Sequence, residues 1–355
     1  MSVIEPDRLT VFATNILAAA GADQEQAAEV AEALVWGDMF GRPNQGVWRL
    51  PILCKRLEAG LFSCPCRIAI DDRAPALAVV DGQNGIGHYV AKMAACFAVE
   101  RAEKSGTAAV FVSDSNFFGA AGYYVHLMAE RSMLGLAFSN SFPKVAPHGG
   151  TKPILGTNPL AFGAPRRRGR SVIIDMATAA SAGSDITKAA ELGQPLPVGI
   201  AIDRNGQPIT DASKVKDGAL MPLGGAKGYA LGLLVEILCG VASGAGIAHS
   251  VRSMYQDFDS PGNSGHLFVA INIGALMPME NYYARMDVLS DALQECEGVT
   301  LPGEARWRAH DESKAAGGAT LDGPTSTELT KLADRYGVET PWEHTLMTQA
   351  EGTPK

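Results

Sequence analysis

The spacing of apolar side chains predicts helices in the first sixty residues. Apolar residues follow Pro6 at helical spacing, at Leu9, Phe12, Ile16 and Leu17. Asp23, with Gln26 three positions later, forms a capping box and predicts a second helix that runs to about residue 37. A third helix is predicted over residues 50–59, because a glycine follows this apolar segment.

From residue 66 onward, the pattern alternates between strands and helices. Strands are predicted over residues 66–81, 108–112, 134–138, 172–176 and 265–273, and helices over residues 90–105, 120–130, 224–240 and 280–293. Strands that alternate with helices are typical of the α/β class. We therefore expect an α/β fold with an N-terminal helical region.

The same pattern predicts three regions along the chain. Residues 1–65 form the N-terminal helical region, residues 66–279 form an α/β domain, and residues 280–355 form the C-terminal region. The C-terminal region is expected to contain one helix and a polar tail with a loop over residues 315–325. We expect it to pack with the N-terminal helices.

Composition excludes several classes of partner. The chain has 355 residues, of which 46% are hydrophobic and 19% charged, as in ordinary globular proteins. A net charge of −8 disfavours nonspecific binding to nucleic acid or to anionic membranes. The longest apolar run, residues 228–248, contains Glu236 and several glycines, so we expect a buried, tightly packed helix that frays into a loop rather than a membrane span.

The six cysteines indicate neither a metal site nor disulfides. Cys64 and Cys66 are too close for typical zinc spacing, and no second Cys or His pair lies nearby. The N-terminus lacks the basic and apolar segments of a signal peptide. We therefore expect reduced thiols and a cytoplasmic protein.

Residues 145–165 are dense in residues that hold unusual backbone shapes. The segment reads VAPHGGTKPILGTNPLAFGAP, and its glycines let main-chain N–H groups approach a ligand closely. Residues 82–87 have glycines in the order GxxGxG, which is not the Rossmann fingerprint. Any dinucleotide site in this chain is therefore expected to differ from the Rossmann type.

Five further segments, spread over most of the chain, combine glycines with polar and aromatic residues. They are residues 37–51 (GDMFGRPNQGVWRLP), 116–124 (NFFGAAGYY), 156–159 (GTNP), 175–185 (DMATAASAGSD) and 224–229 (GGAKGY), with a weaker sixth segment at 301–304 (LPGE). In this order they resemble the signature of the malate/L-lactate/ureidoglycolate/sulfolactate dehydrogenase family. Members of that family reduce 2-oxo acids and cyclic 2-imino acids with a nicotinamide cofactor.

The resemblance implies an L-sulfolactate dehydrogenase-like, non-Rossmann fold, a homodimer, and a site for NAD or NADP. The cofactor-binding residues that it implies are Phe117, Phe118, Gly119, Ala120, Ala121, Asp175, Met176, Ala177, Ala226, Lys227, Pro302, Gly303 and Glu304. Of these, Lys227 is a point charge between glycines and suits a phosphate group.

The resemblance also implies a site for a small carboxylate substrate. Arg49 is the expected clamp for the carboxylate, because a guanidinium can bind it through two hydrogen bonds. Thr157, Gly183 and Ser184 are the other implied substrate contacts. Asn44, Gln45 and Asp185 occupy the catalytic positions, although Asp185 could equally be a helix N-cap.

Departures from the family pattern concern the residues that deliver protons. Asn44 and Gln45 replace a Ser-His pair, Phe117 and Ala226 each replace a histidine, and Gly183-Ser184 replaces Arg-Gly. Glutamine cannot titrate near neutral pH and so cannot be a general acid. Loss of a positioned acid costs on the order of 10²–10⁴ in rate. The sequence therefore predicts altered proton-donor chemistry.

Three explanations remain open. The substrate could be an imine that is already protonated and needs only orientation by Asn44 and Gln45. Alternatively, a substitute acid could support an ordinary 2-oxo or 2-hydroxy acid reaction; the candidates are Asp185, Lys144, His148, Tyr123 and Tyr124. In the third explanation, the chain binds nucleotide without redox turnover or has acquired a different reaction.

Overall fold

The computed structural model describes residues 2–167 and 170–342, and of Ser184 it describes the main chain only. Within this part of the chain, the fold divides into two compact units. The first unit contains the residues up to 65 and those from 304 onward, and the second contains residues 66–303. This second boundary differs from the one after residue 279 that the sequence predicts.

The secondary structure of the described residues follows chain order. The α-helices are α1 (Pro6–Ala19), α2 (Gln24–Met39), α3 (Leu50–Glu58), α4 (Gly87–Ser105), α5 (Ala121–Glu130), α6 (Gly183–Glu191), α7 (Ala226–Glu236), α8 (Ile273–Leu276), α9 (Met279–Gln294), α10 (Glu304–Ala316) and α11 (Gly323–Tyr336). The strands are β1 (Ser2–Ile4), β2 (Ala69–Ala74), β3 (Leu77–Asp81), β4 (Thr107–Ser115), β5 (Met133–Ser139), β6 (Leu160–Ala164), β7 (Val172–Met176), β8 (Ala201–Ile202), β9 (Ala219–Leu220), β10 (Ser264–Asn272) and β11 (Ala319–Leu321).

Helices α1, α2 and α3 form the N-terminal part of the first unit. The apolar residues that predict α1 are all buried: Leu9, Phe12, Ile16 and Leu17. The carboxylate of Asp23 accepts hydrogen bonds from the main-chain N–H groups of Glu25 and Gln26 and so caps α2. Local capping and helical periodicity therefore explain both helices.

The prediction of a loop over residues 315–325 is wrong. This segment contains β11 and the start of α11. Strand β11 pairs antiparallel with β1, for example Val3 with Thr320, and Asp322 caps α11 by accepting from the N–H of Thr325. A three-residue strand exists only through its distant partner, so a local pattern could not indicate it.

Seven strands of the described second unit form one mixed sheet in the order β2-β3-β4-β10-β5-β6-β7. Only the β3–β4 pair is parallel, and the other neighbouring pairs are antiparallel. This arrangement places the carboxyl ends of β3, β4, β5 and β7 at the same edge as the amino ends of β6 and β10. We call this edge of the sheet the loop edge.

The apolar run at 228–248 begins as a helix and ends in a loop, as the sequence predicts, but part of it is exposed rather than buried. Helix α7 ends at Glu236, and a π-helical turn, Ile237–Val241, follows it. Leu234, Ile237 and Val241 are 45%, 48% and 63% exposed. Among the described residues, no helix has both the length and the apolar character needed to cross a bilayer.

Candidate functional site

The loop edge collects four of the family-like segments of the second unit. Residues 116–121 follow β4, residues 156–159 precede β6, and residues 177–185 follow β7. Residues 224–229 join them at the start of α7, because the N–H of Leu223 donates to the carbonyl of Thr178 at 2.9 Å. Strand direction thus brings the first three segments together, and this hydrogen bond adds a fourth that lies more than 100 positions from the first.

Asn158 holds the GTNP loop in place. Its side chain is fully buried, and its Oδ1 accepts from the N–H of Ser141 at 3.1 Å. Its Nδ2 donates to the carbonyl of Gly232 at 3.0 Å and to the carboxylate of Glu236 at 2.8 Å. Thr157, the predicted substrate contact, is thus fixed against helix α7.

The DMAT segment is hydrogen-bonded directly to that loop. The Thr178 N–H donates to the carbonyl of Thr157 at 2.9 Å, and the Thr178 hydroxyl donates to the carbonyl of Asn158 at 3.2 Å. Asp175 and Met176, two predicted cofactor contacts, end strand β7 immediately before. The structure therefore places the predicted cofactor segment beside the predicted substrate loop.

Gly224 and Gly225 frame the start of α7. Both have positive φ angles, 58° and 68°, and within the described residues no atom lies within 4 Å of a Cβ built at Gly224. Helix α7 begins at Ala226, and Lys227 is exposed in its first turn. An ammonium group beside a helix N-terminus attracts an anion, so these residues fit a phosphate of a dinucleotide.

In the segment after β4, a ligand would meet main-chain groups rather than polar side chains. Asn116 is buried; it donates to the carbonyl of Gly85 at 2.9 Å and accepts from the N–H of Gly262 at 2.9 Å. Phe118 is 2% exposed, and its ring stacks on that of His266 with centroids 4.7 Å apart. Ala120 and Ala121 are buried as well. Of the predicted cofactor residues in this segment, these three can offer a ligand only backbone groups.

His266 is a central residue that sequence reasoning missed. Its two ring nitrogens lie 2.9 Å from the hydroxyls of Ser139 and Ser115, which end β5 and β4. Burial lowers the pKa of His266 to about 3, so the ring is neutral at physiological pH. The only signal in the sequence is a histidine within the apolar run that predicts strand β10.

Burial disfavours two of the proposed substitute acids. Tyr123 and Tyr124 are 2% and 0% exposed, and the hydroxyl of Tyr124 donates to the carbonyl of Phe118. Burial raises the pKa of Tyr124 well above its ordinary value. His148, in contrast, is exposed and lies 3.7 Å from a Cβ built at Gly225.

Helix α6 carries the next group of predicted residues. Gly183 is its first residue, and Asp185 is exposed in its first turn. Ala182 occupies the N-cap position, so Asp185 is not the N-cap residue. The side chain of Ser184 lies outside the described residues.

In the first unit, Asp38 organises the loop that carries Asn44 and Gln45. Its carboxylate accepts from the N–H of Val47 at 2.8 Å, and a Cβ built at Gly46 lies 2.0 Å from its Oδ1. Burial raises the pKa of Asp38 to about 8, and the bond from Val47 only partly opposes this shift. A protonated carboxyl group therefore lies directly beneath the loop at neutral pH.

Arg49 is buried at the end of the same loop. Its Nε donates to the carbonyl of Asn44 at 2.7 Å, and its guanidinium lies 4.9 Å from the Trp48 ring centroid. Burial lowers the pKa of Arg49 to about 10, which leaves the group cationic at neutral pH. Arg49, which is predicted to bind the substrate carboxylate, is thus hydrogen-bonded to Asn44, which occupies a predicted catalytic position.

The predicted PGE turn lies beside β7. The N–H of Ile173 donates to the carbonyl of Pro302 at 3.3 Å, and Gly303 has a φ of 95°, where a Cβ would lie 2.9 Å from the main-chain nitrogen of Ile173. Glu304 begins α10 and belongs to the first unit. Among the described residues, no group of three or more His, Cys, Asp or Glu side chains could hold a metal ion.

The fold defines the class of protein. Sulfolactate dehydrogenase from Methanocaldococcus jannaschii superposes with a TM-score of 0.87 at 31% identity, over 95% of this chain and 98% of that one. The chain is therefore an α/β protein with an L-sulfolactate dehydrogenase-like fold, as the sequence predicts.

Two sequence comparisons define the family. The chain is 32% identical over 341 residues to malate/(S)-sulfolactate dehydrogenase of Methanothermus fervidus, covering 96% of this chain and 100% of that protein. It is 33% identical over 332 residues to Δ1-pyrroline-2-carboxylate/Δ1-piperideine-2-carboxylate reductase of Pseudomonas aeruginosa, covering 92% and 98%. A model of the malate/L-lactate dehydrogenase family matches residues 4–330. The chain belongs to this family and is a nicotinamide-dependent oxidoreductase.

Proposed function

We propose that the protein transfers hydride from NADH or NADPH to a small cyclic 2-imino carboxylic acid. The hydrogen bonding of the Gln45 side chain is the observation that carries this proposal. Among the described residues, its buried Oε1 has no hydrogen-bond partner. A buried unpaired acceptor is costly unless a ligand donates to it. The N–H of a protonated imine is such a donor, whereas the carbonyl oxygen of a 2-oxo acid is not.

The proton balance favours the same substrate. Hydride addition to an iminium carbon yields a neutral amine, so no proton is delivered to nitrogen in that step. Gln45 and Asn44 would orient the C=N bond, and Arg49 would bind the carboxylate. Because glutamine cannot act as a general acid, a ketone would require a proton from another group.

The nicotinamide cofactor supplies the hydride when bound. Residues 224–227 would bind one of its phosphates, because the first turn of α7 presents main-chain N–H groups beside the Lys227 ammonium. The main chain of residues 117–121 and the 175–177 segment would hold the rest of the cofactor at the loop edge, with Pro302, Gly303 and Glu304 as the remaining contacts.

The test compares cofactor oxidation with two sets of substrates. We expect five- and six-membered cyclic 2-imino acids to support oxidation of NADH or NADPH, at a rate that rises as pH falls through the pKa of the imine. Pyruvate-like ketones should react more slowly. A preference for ketones would instead support a 2-hydroxy acid dehydrogenase with a substitute acid, and fluorescence titration without nicotinamide binding would exclude an oxidoreductase.

Two substitutions at Gln45 sharpen this comparison. Gln45→His restores a titratable donor, so ketone reduction should rise by about 10-fold or more. Gln45→Met removes the acceptor oxygen at similar volume, so imine reduction should fall while binding of NADH, measured by fluorescence, is unchanged. Unaltered imine kinetics in Gln45→Met would contradict the role that we assign to Oε1.

We also propose that the protein acts as a homodimer. Leu234, Ile237 and Val241 recur at intervals of three and four residues along α7 and the following π-helical turn, and all three are exposed. Contiguous apolar surface of this kind is typical of an interface. A second copy of the chain is the partner that we expect.

We place the protein in the cytoplasm. All six cysteines are free thiols, and Cys54, Cys66 and Cys239 are buried. A chain with this many unpaired thiols fits a reducing compartment.

A further inference from the structure

Gly37 is a buried glycine in the last turn of helix α2. Its backbone is helical, so the conformation at this position does not require glycine. A glycine in a helix lowers stability relative to alanine, because it loses more conformational freedom on folding. The reason for this glycine must therefore lie in what packs against it.

The peptide that joins Gln45 to Gly46 packs directly against Gly37. A Cβ built at Gly37 lies 3.0 Å from the carbonyl carbon and the carbonyl oxygen of Gln45, and 3.2 Å from the main-chain nitrogen of Gly46. Carbon atoms in ordinary contact are about 3.5–4.0 Å apart. A side chain at position 37 would therefore push this peptide away from the helix by a few tenths of an ångström.

The next residue of α2 contacts the same peptide. The carboxylate of Asp38 fills the space that a Cβ at Gly46 would need, and it accepts from the N–H of Val47 at 2.8 Å. Two consecutive helix residues thus hold the peptide after Gln45, one through its carboxyl group and the other through the lack of a side chain.

The segment around Gln45 is a tight turn. The N–H of Gln45 donates to the carbonyl of Arg42 at 2.7 Å, and the N–H of Gly46 donates to that of Pro43 at 3.1 Å. The turn is also bonded to the glycine itself, since the N–H of Arg42 donates to the carbonyl of Gly37 at 2.7 Å. A displacement of the peptide would therefore move the side chain of Gln45 with it.

We propose that Gly37 is a positioning residue, which sets where Oε1 of Gln45 meets the substrate. This role rests on the proposed function, in which Oε1 accepts from the N–H of a protonated cyclic imine. Among the described residues, Oε1 has no hydrogen-bond partner, so its position depends on the main chain that carries it. Small errors in the placement of a group that orients the substrate lower the rate of the chemical step.

The first test is Gly37→Ala, which adds only the Cβ. We expect kcat for a five- or six-membered cyclic 2-imino acid to fall about 10-fold, because Gln45 is displaced. The dissociation constant of NADH, measured by fluorescence, should not change. The melting temperature should stay within a few degrees of the wild type, since the helix propensity of alanine offsets the tight contact. A merely structural glycine would give the opposite result, a lower melting temperature with an unchanged kcat.

Gly323→Ala is the matched control. Gly323 is the first residue of α11, in the same unit as Gly37, and it is exposed. Within the described residues, no atom lies within 4 Å of a Cβ built there. This variant should keep the kcat and the NADH affinity of the wild type.

The second test repeats Gly37→Ala in the Gln45→Met variant. If Gly37 acts through Gln45, the added Cβ should lower kcat by less than about 2-fold in this background, because the group that it displaces is already gone. Independent effects would instead multiply.

Three results would overturn the role of Gly37. They are an unchanged kcat in Gly37→Ala, an equal loss of kcat with and without Gln45→Met, and a Gly37→Ala protein that is unfolded at the assay temperature. Lack of turnover by the wild type with cyclic imines would instead contradict the proposed function, and the role of Gly37 would fall with it.

Discussion

Asp38 shows how a single buried carboxyl group can shape a site. It lies against Gly46 and accepts from the N–H of Val47, so it supports the loop that carries Gln45. A glycine is required at position 46, since any Cβ there would overlap the carboxyl group. The sequence shows both residues, but only the packing shows that one supports the other.

We expect Asp38→Asn to remove a pH dependence of stability. The folded-state pKa of Asp38 is raised from 3.8 to about 8, so its protonated form stabilises the fold. That contribution is complete below about pH 4 and is lost as pH rises to 8, by up to about 1.4 kcal/mol per pH unit. Asparagine keeps the acceptor for Val47 but cannot ionise.

The measurement is urea unfolding of both proteins at pH 5, 6.5 and 8. The free energy of unfolding of the wild type should fall relative to that of Asp38→Asn as pH rises. Asp7→Asn, which changes an exposed carboxyl group of the same unit, is the control. Parallel pH curves for wild type and Asp38→Asn would contradict the prediction.

At the scale of elements, the loop edge depends on one histidine between three strands. His266 on β10 contacts the terminal serines of β4 and β5 and stacks beneath Phe118. Strand β10 was predicted from its apolar run, with bounds within one residue of those observed. Its central position in the sheet was not predictable, because pairing depends on strands more than 100 residues away.

We expect His266→Phe to destabilise the protein by about 2 kcal/mol or more. The phenyl ring can still stack but is larger than imidazole, and the buried hydroxyl of Ser115 loses its partner. Adding Ser115→Ala should restore part of the stability, since both polar groups are then gone. Thermal unfolding of the three proteins is the measurement, and equal destabilisation of the single and double variants would contradict this explanation.

At the scale of the whole molecule, exposed apolar side chains on α7 and the following π-helical turn are the basis of the homodimer that we propose. The apolar run at 228–248 is interrupted by Glu236, whose carboxylate accepts from Asn158 and from the N–H of Ala248. This side chain faces inward, whereas Leu234, Ile237 and Val241 face outward. The sequence alone could not distinguish an apolar face that packs inside the unit from one left for a partner.

We expect Leu234→Glu/Ile237→Glu to convert the proposed homodimer to a monomer. Two charges on the apolar face cannot be buried without a large desolvation cost. Light scattering coupled to size-exclusion chromatography measures the change in mass. Val198→Glu, which replaces an isolated residue that is 73% exposed, is the control and should remain dimeric. If the double variant and the wild type had the same molecular mass in solution, the proposed interface would be wrong.

The sequence by itself determined the helices of the N-terminal region, most strands of the sheet, and the family. Helical periodicity, caps and short motifs are local, so they can be read without coordinates. It also predicts that Gln45 stands where the family pattern has histidine, and this prediction concerns the chemistry of one side chain.

The tertiary structure decided which residues meet. The burial of Tyr123 and Tyr124 and the pairing of β1 with β11 both involve distant parts of the chain. Burial raises the pKa of Asp38. Packing also leaves Oε1 of Gln45 buried without a hydrogen-bond partner among the described residues. These properties arise from packing between segments, and no local pattern encodes them.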